Sequence, residues 1–249
     1  VDAVAVIRSV GERTEAVCRR LVEAQLGIEA IVIHETPFER ALERGFEIGA
    51  GSGRAWLLAI DADHLVRPNA LRALFASAEA SSAWHLQGRF ICKFYRAERD
   101  GGPRLYRTAM LPEALSVLPI IGEQLRPESR TVKRMAARGH ETAKVPVVTC
   151  LHDHEQWYAD IFRKGALHAV KFPGWRHTLV PLWERLAGID LDFAVLLAGW
   201  RSGLRSSLTD ASAIAEHARA ALGRLNLHEK APLAADWNPW ESSTLLRTG

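Results

Sequence analysis

Residues 1–80 alternate between short apolar runs and helical stripes, and this alternation restricts the fold more than any other feature of the chain. Ala3-Val4-Ala5-Val6-Ile7 consists of small and β-branched residues and predicts a buried strand. A polar turn pivoting on Gly11 follows. Thr14 to Leu26 then carries apolar residues at Val17, Leu21, Val22 and Leu26, a helical spacing closed by Gly27. Ile28 to Ile33 predicts a second strand, and Pro37 to Ile48 a second helix running into the glycine-rich stretch 49–53. Trp56 to Ile60 predicts a third strand. Pro68 opens a helix from Asn69 to Ala80, at the first-turn position where proline fits. This β-α-β-α-β-α series predicts an α/β fold, a mainly parallel sheet sandwiched between helices. Ligands of such sheets bind beyond the carboxyl ends of the strands, and Asp61 and Asp63 fall there.

The remainder is more mixed. His85 to Tyr95 and Lys144 to Cys150 predict further strands, and Asp100-Gly101-Gly102-Pro103 predicts a turn. Thr108 to Gly139 reads as a helix or two broken by Pro112, Pro119 and Pro127. Glu155 to Val170 turns helical, and after Pro173-Gly174 three helices are expected, His177–Ala187, Asp190–Gly203 and Leu208–Leu222. The expected division is a catalytic domain over 1–170 and a helical C-terminal extension over 171–249.

Asp61-Ala62-Asp63 carries the first chemical signal. Two carboxylates one residue apart, just past a buried strand, can converge on a hard divalent cation such as Mg²⁺ or Mn²⁺. A metal there would bridge a nucleotide diphosphate and act as Lewis acid toward the leaving group. Alone, an Asp-x-Asp triplet is most often a solvated turn. Its place at a strand end favours a site.

The run from Trp56 to Leu71, with Asp61-Ala62-Asp63 followed by His64-Leu65-Val66-Arg67-Pro68-Asn69-Ala70-Leu71, resembles the DXD region of bacterial family-2-like GT-A glycosyltransferases. The order of elements extends the resemblance over about residues 3–80. It implies a GT-A-like, Rossmann-like fold and an enzyme that transfers a sugar from a UDP- or GDP-linked donor to an acceptor hydroxyl. It further implies Asp63 as the more direct metal ligand, with Asp61 nearer the ribose or a metal-bound water. The first loop, Arg8-Ser9-Val10-Gly11-Glu12-Arg13, departs from the usual pattern, and the second strand ends in His34-Glu35 where an Asp is common. Glu35 is a candidate acceptor for base or ribose groups, and Arg8 and Arg44 are candidate phosphate contacts. Each has an ordinary solvated charge as its alternative.

The second signal is His152-Asp153-His154-Glu155, between a strand and a helix. The resemblance implies a late histidine as a further metal ligand, so His152 or His154 is expected to complete the site with Asp63, and residues two apart in an extended chain point the same way, so both imidazoles can face one pocket. Asp153 and Glu155 are candidate general bases for the acceptor hydroxyl. The plain alternative is a helix N-terminus whose dipole favours acids. Two other functions fit the same residues: a metal-dependent hydrolase using His152 and His154, and a non-catalytic nucleotide-sugar-binding domain.

Composition excludes other classes. A net charge of +3 is too small for a nucleic-acid binder, and the three cysteines form no CxxC pair. The longest apolar stretch, Leu191 to Trp200, is interrupted by Asp192 and is about half of the ~20 residues a membrane span needs. A cytoplasmic location is expected, with the inner face of the membrane and polysaccharide or glycoconjugate synthesis as the setting that the family suggests. The C-terminal helices are candidates for an acceptor site or a homo-oligomer contact.

Overall fold

A computed structural model describes residues 1–124, 126–206, 211–234 and 236–242. The elements run β1 (Ala3–Arg8), α1 (Glu15–Leu26), β2 (Ala30–Ile33), α2 (Phe38–Gly51), β3 (Trp56–Asp61), β4 (His64–Val66), α3 (Ala70–Glu79), β5 (His85–Cys92), β6 (Ala97–Arg107), α4 (Leu111–Ser116), α5 (Pro127–Ala137) and β7 (Thr142–His152). Then follow α6 (Tyr158–Lys171), α7 (Val180–Leu186), α8 (Leu191–Ser206) and α9 (Ala211–Arg224). The expected helix Leu208–Leu222 begins outside the described residues, and its described part is α9.

The strands form one seven-stranded sheet in the order β2-β1-β3-β6-β5-β7-β4. Strands β1, β2, β3, β5 and β7 run one way, and β4 and β6 run against them. The expected α/β sandwich is therefore present. Its cause lies in the pleat. Ala5, Ile7, Leu58 and Ile60 project to one face and pack with Cys18 and Val22 of α1 and Leu71, Leu74 and Phe75 of α3. Val6, Leu57 and Ala59 project to the other face and meet Leu42 and Phe46 of α2 and Leu111 and Ala114 of α4. With both faces covered, Leu57, Leu58 and Ile60 are wholly buried, each contributing about 1.5–3 kcal/mol.

Two local readings are corrected. Asp100-Gly101-Gly102-Pro103 does not turn the chain but lies inside β6, where the pairing of Gln87 with Arg104 shifts to Arg89 with Asp100. Gly101 and Gly102 have φ of 137° and 86°, and a Cβ on Gly101 would sit 2.7 Å from Phe90. The glycines serve a bulge in a strand, which leaves the same sequence mark as a turn. The stretch 64–66, to which the sequence pattern assigns no element, is the edge strand β4, pairing His64 with His152.

The chain divides into two compact units, one comprising 1–154 with 234–249 and the other 155–233. This differs from the expected 1–170 and 171–249. The reason is α6, whose principal partner is α8 within the second unit. Those helices approach through glycine: a Cβ on Gly165 would lie 2.2 Å from the Leu196 carbonyl oxygen, and one on Gly199 2.1 Å from that of Phe162. Within this unit Trp183 and Trp200 also meet edge to face at 5.6 Å. In the first unit the returning segment is tied by Trp240 Nε1, which donates to the Val66 carbonyl at 2.9 Å.

Candidate functional site

The parallel strands β1 and β3 end side by side, with Arg8 in register with Asp61. The loop after β3 is pinned from two directions. The Ala62 N–H donates to the Arg8 carbonyl at 2.9 Å, and the buried Thr14 hydroxyl donates to the Ala62 carbonyl at 2.8 Å. Ala62 is fully buried, so the short side chain between the two acids is a packing requirement.

Arg8 is buried and donates from Nε to Asp61 Oδ1 and from Nη1 to Glu128 Oε1, both at 2.8 Å. Glu128, on α5, also accepts from the Tyr106 hydroxyl at 2.8 Å and pairs with Arg104 Nε at 3.0 Å. Burial opposes charge on Arg8, Arg104, Tyr106 and Glu128, yet the two guanidiniums hold the Glu128 carboxyl down to about 2. Arg8 in turn stays protonated, because Asp61 and Glu128 outweigh its own desolvation. The network makes Arg8 the residue that orients Asp61.

Asp63 lies on the other side of the same loop. Its Oδ2 is 3.3 Å from His152 Nε2 and its Oδ1 is 3.3 Å from His64 Nδ1. The two imidazoles, brought together by the β4–β7 pairing, stack with centroids 4.8 Å apart, and Phe90 flanks His152 at 4.8 Å. Donor atoms of Asp63, His64 and His152 all fall within 4.8 Å of one another, close enough to share one ion. Burial pushes the His64 imidazole down to about 4, so near neutral pH it is uncharged and has a lone pair to offer. Its Nδ1 is buried and makes no hydrogen bond. One carboxylate with two imidazoles is a sound donor set for a divalent transition ion, and the residues fit a metal.

Behind His152 stands Asp153, 1% exposed, whose Oδ2 is 3.0 Å from His152 Nδ1 and accepts from the Cys92 thiol at 3.4 Å. A carboxylate on the far nitrogen favours the proton there and turns Nε2 toward Asp63. The Asp153 backbone has a φ of 62°, a left-handed conformation that aspartate tolerates better than most residues.

The other sequence candidates are dispersed. His154 is buried and stacks on Trp237 at 6.0 Å, and it belongs to neither group of metal-competent side chains among the described residues. The shared direction expected for His152 and His154 fails because the strand ends at His152 and the positive φ of Asp153 bends the chain out of the extended conformation. Glu35 is exposed past the carboxyl end of β2, on the same sheet margin as Arg8 and Asp61. Arg44 lies on the exposed side of α2, paired with Glu47 at 3.3 Å. Glu155 belongs to the second unit, 3.8 Å from Lys230, which also binds the buried Asp192 at 2.6 Å.

Sequence reasoning passed over His64, Cys92, Arg104, Tyr106 and Glu128. Only His64 left a signal, its position directly after the acidic triplet. The others lie on elements distant in sequence, and only the sheet order brings them in.

No family model and no curated protein matches the chain. Among solved structures it is similar to a mannosyltransferase from Pyrobaculum calidifontis in complex with GDP-Man and Mn²⁺, at 12% identity and a TM-score of 0.44, over 89% of this chain and 80% of that one. It is also similar to a nucleotide-diphospho-sugar transferase from Desulfovibrio desulfuricans, at 9% identity and a TM-score of 0.41, over 79% of this chain and 97% of that one. A third is 2-C-methyl-D-erythritol 4-phosphate cytidylyltransferase from Thermus thermophilus, at 13% identity and a TM-score of 0.43, over 59% of this chain and 89% of that one.

Proposed function

We propose that this chain is a metal-dependent glycosyltransferase that moves a sugar from a nucleotide-diphosphate sugar to an acceptor hydroxyl, in polysaccharide or glycoconjugate synthesis. The observation that carries the reading is the convergence of Asp63 and His152, 3.3 Å apart, at the carboxyl ends of β3 and β7. Asp63 and His152 would hold Mn²⁺ or Mg²⁺, which when bound supplies Lewis-acid stabilisation of a diphosphate leaving group. Asp61, held by Arg8, is fixed to receive a ribose hydroxyl or a metal-bound water. Glu35 lies on the margin where the base and ribose of the donor would rest.

Roles shift within the second constellation. The Asp153 carboxylate is turned onto His152 and Cys92, which suits orientation of the imidazole better than proton abstraction from an acceptor. Arg8 acts through Asp61 in this reading, and the exposed Arg44–Glu47 pair suits a solvated surface. The hydrolase alternative needs both imidazoles on one ion, and the stacking of His154 on Trp237 speaks against it. No helix among the described residues is long and apolar enough to cross a membrane.

Calorimetric titration of UDP and GDP, with Mn²⁺ and with EDTA, tests the proposal on the wild type and on Asp63→Ala. The expected result is metal-dependent binding of one nucleotide that the variant loses. Absence of binding by either nucleotide in the presence of metal would sink it.

A further inference from the structure

We infer that His64 is a third protein ligand, so that this chain holds its metal before any nucleotide arrives and prefers Mn²⁺ over Mg²⁺. The inference rests on the metal site proposed above and adds to it a residue and a selectivity. Three observations carry it. The His64 ring is buried, 5% exposed, and no bulk water is at hand to satisfy it. Its Nδ1 makes no hydrogen bond, although it lies only 3.3 Å from Asp63 Oδ1. An orphaned buried nitrogen of this kind costs stability unless something binds it. Finally, the β4–β7 pairing sets the His64 ring against His152, whose Nε2 faces the other Asp63 oxygen. Two nitrogens therefore approach one carboxylate from both of its oxygens.

This donor set has consequences. A lone carboxylate holds a divalent ion weakly and depends on substrate phosphates to complete the shell, whereas one carboxylate with two imidazoles binds an ion by itself. Mg²⁺ demands oxygen donors in near-ideal octahedral geometry and dehydrates reluctantly. Imidazole nitrogen favours transition ions, among which Mn²⁺ also accepts carboxylate and phosphate.

Titration of nucleotide-free protein with Mn²⁺, followed by electron paramagnetic resonance, tests this directly. The expected result is loss of the free-ion signal at one equivalent, with excess Mg²⁺ unable to restore it. Pulsed measurements on protein labelled with ¹⁵N-histidine should show two coupled histidine nitrogens in the wild type, which needs no variant to fold. His64→Gln should leave one and weaken Mn²⁺ roughly tenfold or more. A single coupled nitrogen in the wild type, no binding without nucleotide, or ready displacement by Mg²⁺ would overturn the inference. Mn²⁺ binding with two nitrogens but no affinity for UDP or GDP would uphold it while removing the glycosyltransferase reading. Nucleotide-dependent binding with one nitrogen would do the reverse.

Discussion

Each of the two units of this molecule is marked internally by a different kind of contact. The first buries charge: Arg8, Glu128, Arg104 and Tyr106 form a desolvated network whose outermost member is Asp61. The second brings backbone against backbone, with Gly165, Gly199 and Gly203 on α6 and α8 leaving no room for a side chain. A buried ionic network is a poor source of net stability, since desolvation consumes most of its Coulomb gain. What it does provide is fixed orientation for a carboxylate at a strand end. Close helix packing gains dispersion and burial but orients no polar group. The contrast separates a region arranged for a site from one arranged for cohesion.

The comparison breaks most sharply at Glu128. Removing it by Glu128→Ala takes from the buried Arg8 and the partly buried Arg104 the carboxylate they share, and a loss of about 3–5 kcal/mol in urea denaturation is expected. A change below about 1 kcal/mol would show that water enters the network and that the residues are not truly desolvated. In the second unit, Gly199→Leu forces a branch into the Phe162 carbonyl and should cost about 3 kcal/mol. Gly174→Ala is the control, because nothing lies within 4 Å of the added Cβ, and it should be close to neutral. Equal effects from these two substitutions would contradict the close α6–α8 approach.

Smaller effects sharpen the picture around the metal candidates. Asp153→Asn keeps the shape but loses the charge behind His152, and Mn²⁺ affinity should fall about 10–100-fold with little change in melting temperature. An unchanged affinity would mean that His152 is oriented by its strand alone. The smallest effect is one of pH. Burial, helped by nearby Arg104, holds the His85 imidazole down to about 3, below its usual 6.5. The unfolded chain therefore takes up this proton first as pH falls, and the stability contributed by neutral His85 is present above 6.5 and lost progressively between 6.5 and 3. Glu128 behaves in the same sense lower down, its contribution lost between 4.5 and about 2. His85→Gln should thus make the decline in melting temperature shallower between pH 6.5 and 4.5, and an identical slope would refute that assignment.

What was readable in the sequence follows from locality. β1, α1, β2, α2, β3 and α3 carry their periodicity within short windows, and both the strand ends and the position of Asp61 and Asp63 follow from it. Turn chemistry misled at Gly101-Gly102, because glycine marks positive φ without revealing whether the chain reverses or only bulges. The compact units divide near 154 and not near 170 for a similar reason. The amphipathic pattern of α6 reveals that one face is covered but not which element covers it.

The sequence by itself determined the alternating α/β plan of the first unit, the acidic pair at the end of a buried strand, and the charge-dense run 152–155. Local propensity and hydrophobic period suffice for these, because each is a property of neighbours in the chain. Only the tertiary structure decided that Asp61 belongs to Arg8 and Glu128, that Asp63 faces His64 and His152, and that His154 turns to Trp237. Apart from His64, those partners lie far apart in sequence. Their meeting depends on sheet order and register, and a shift of one residue in the β4–β7 pairing would turn His64 to the opposite face.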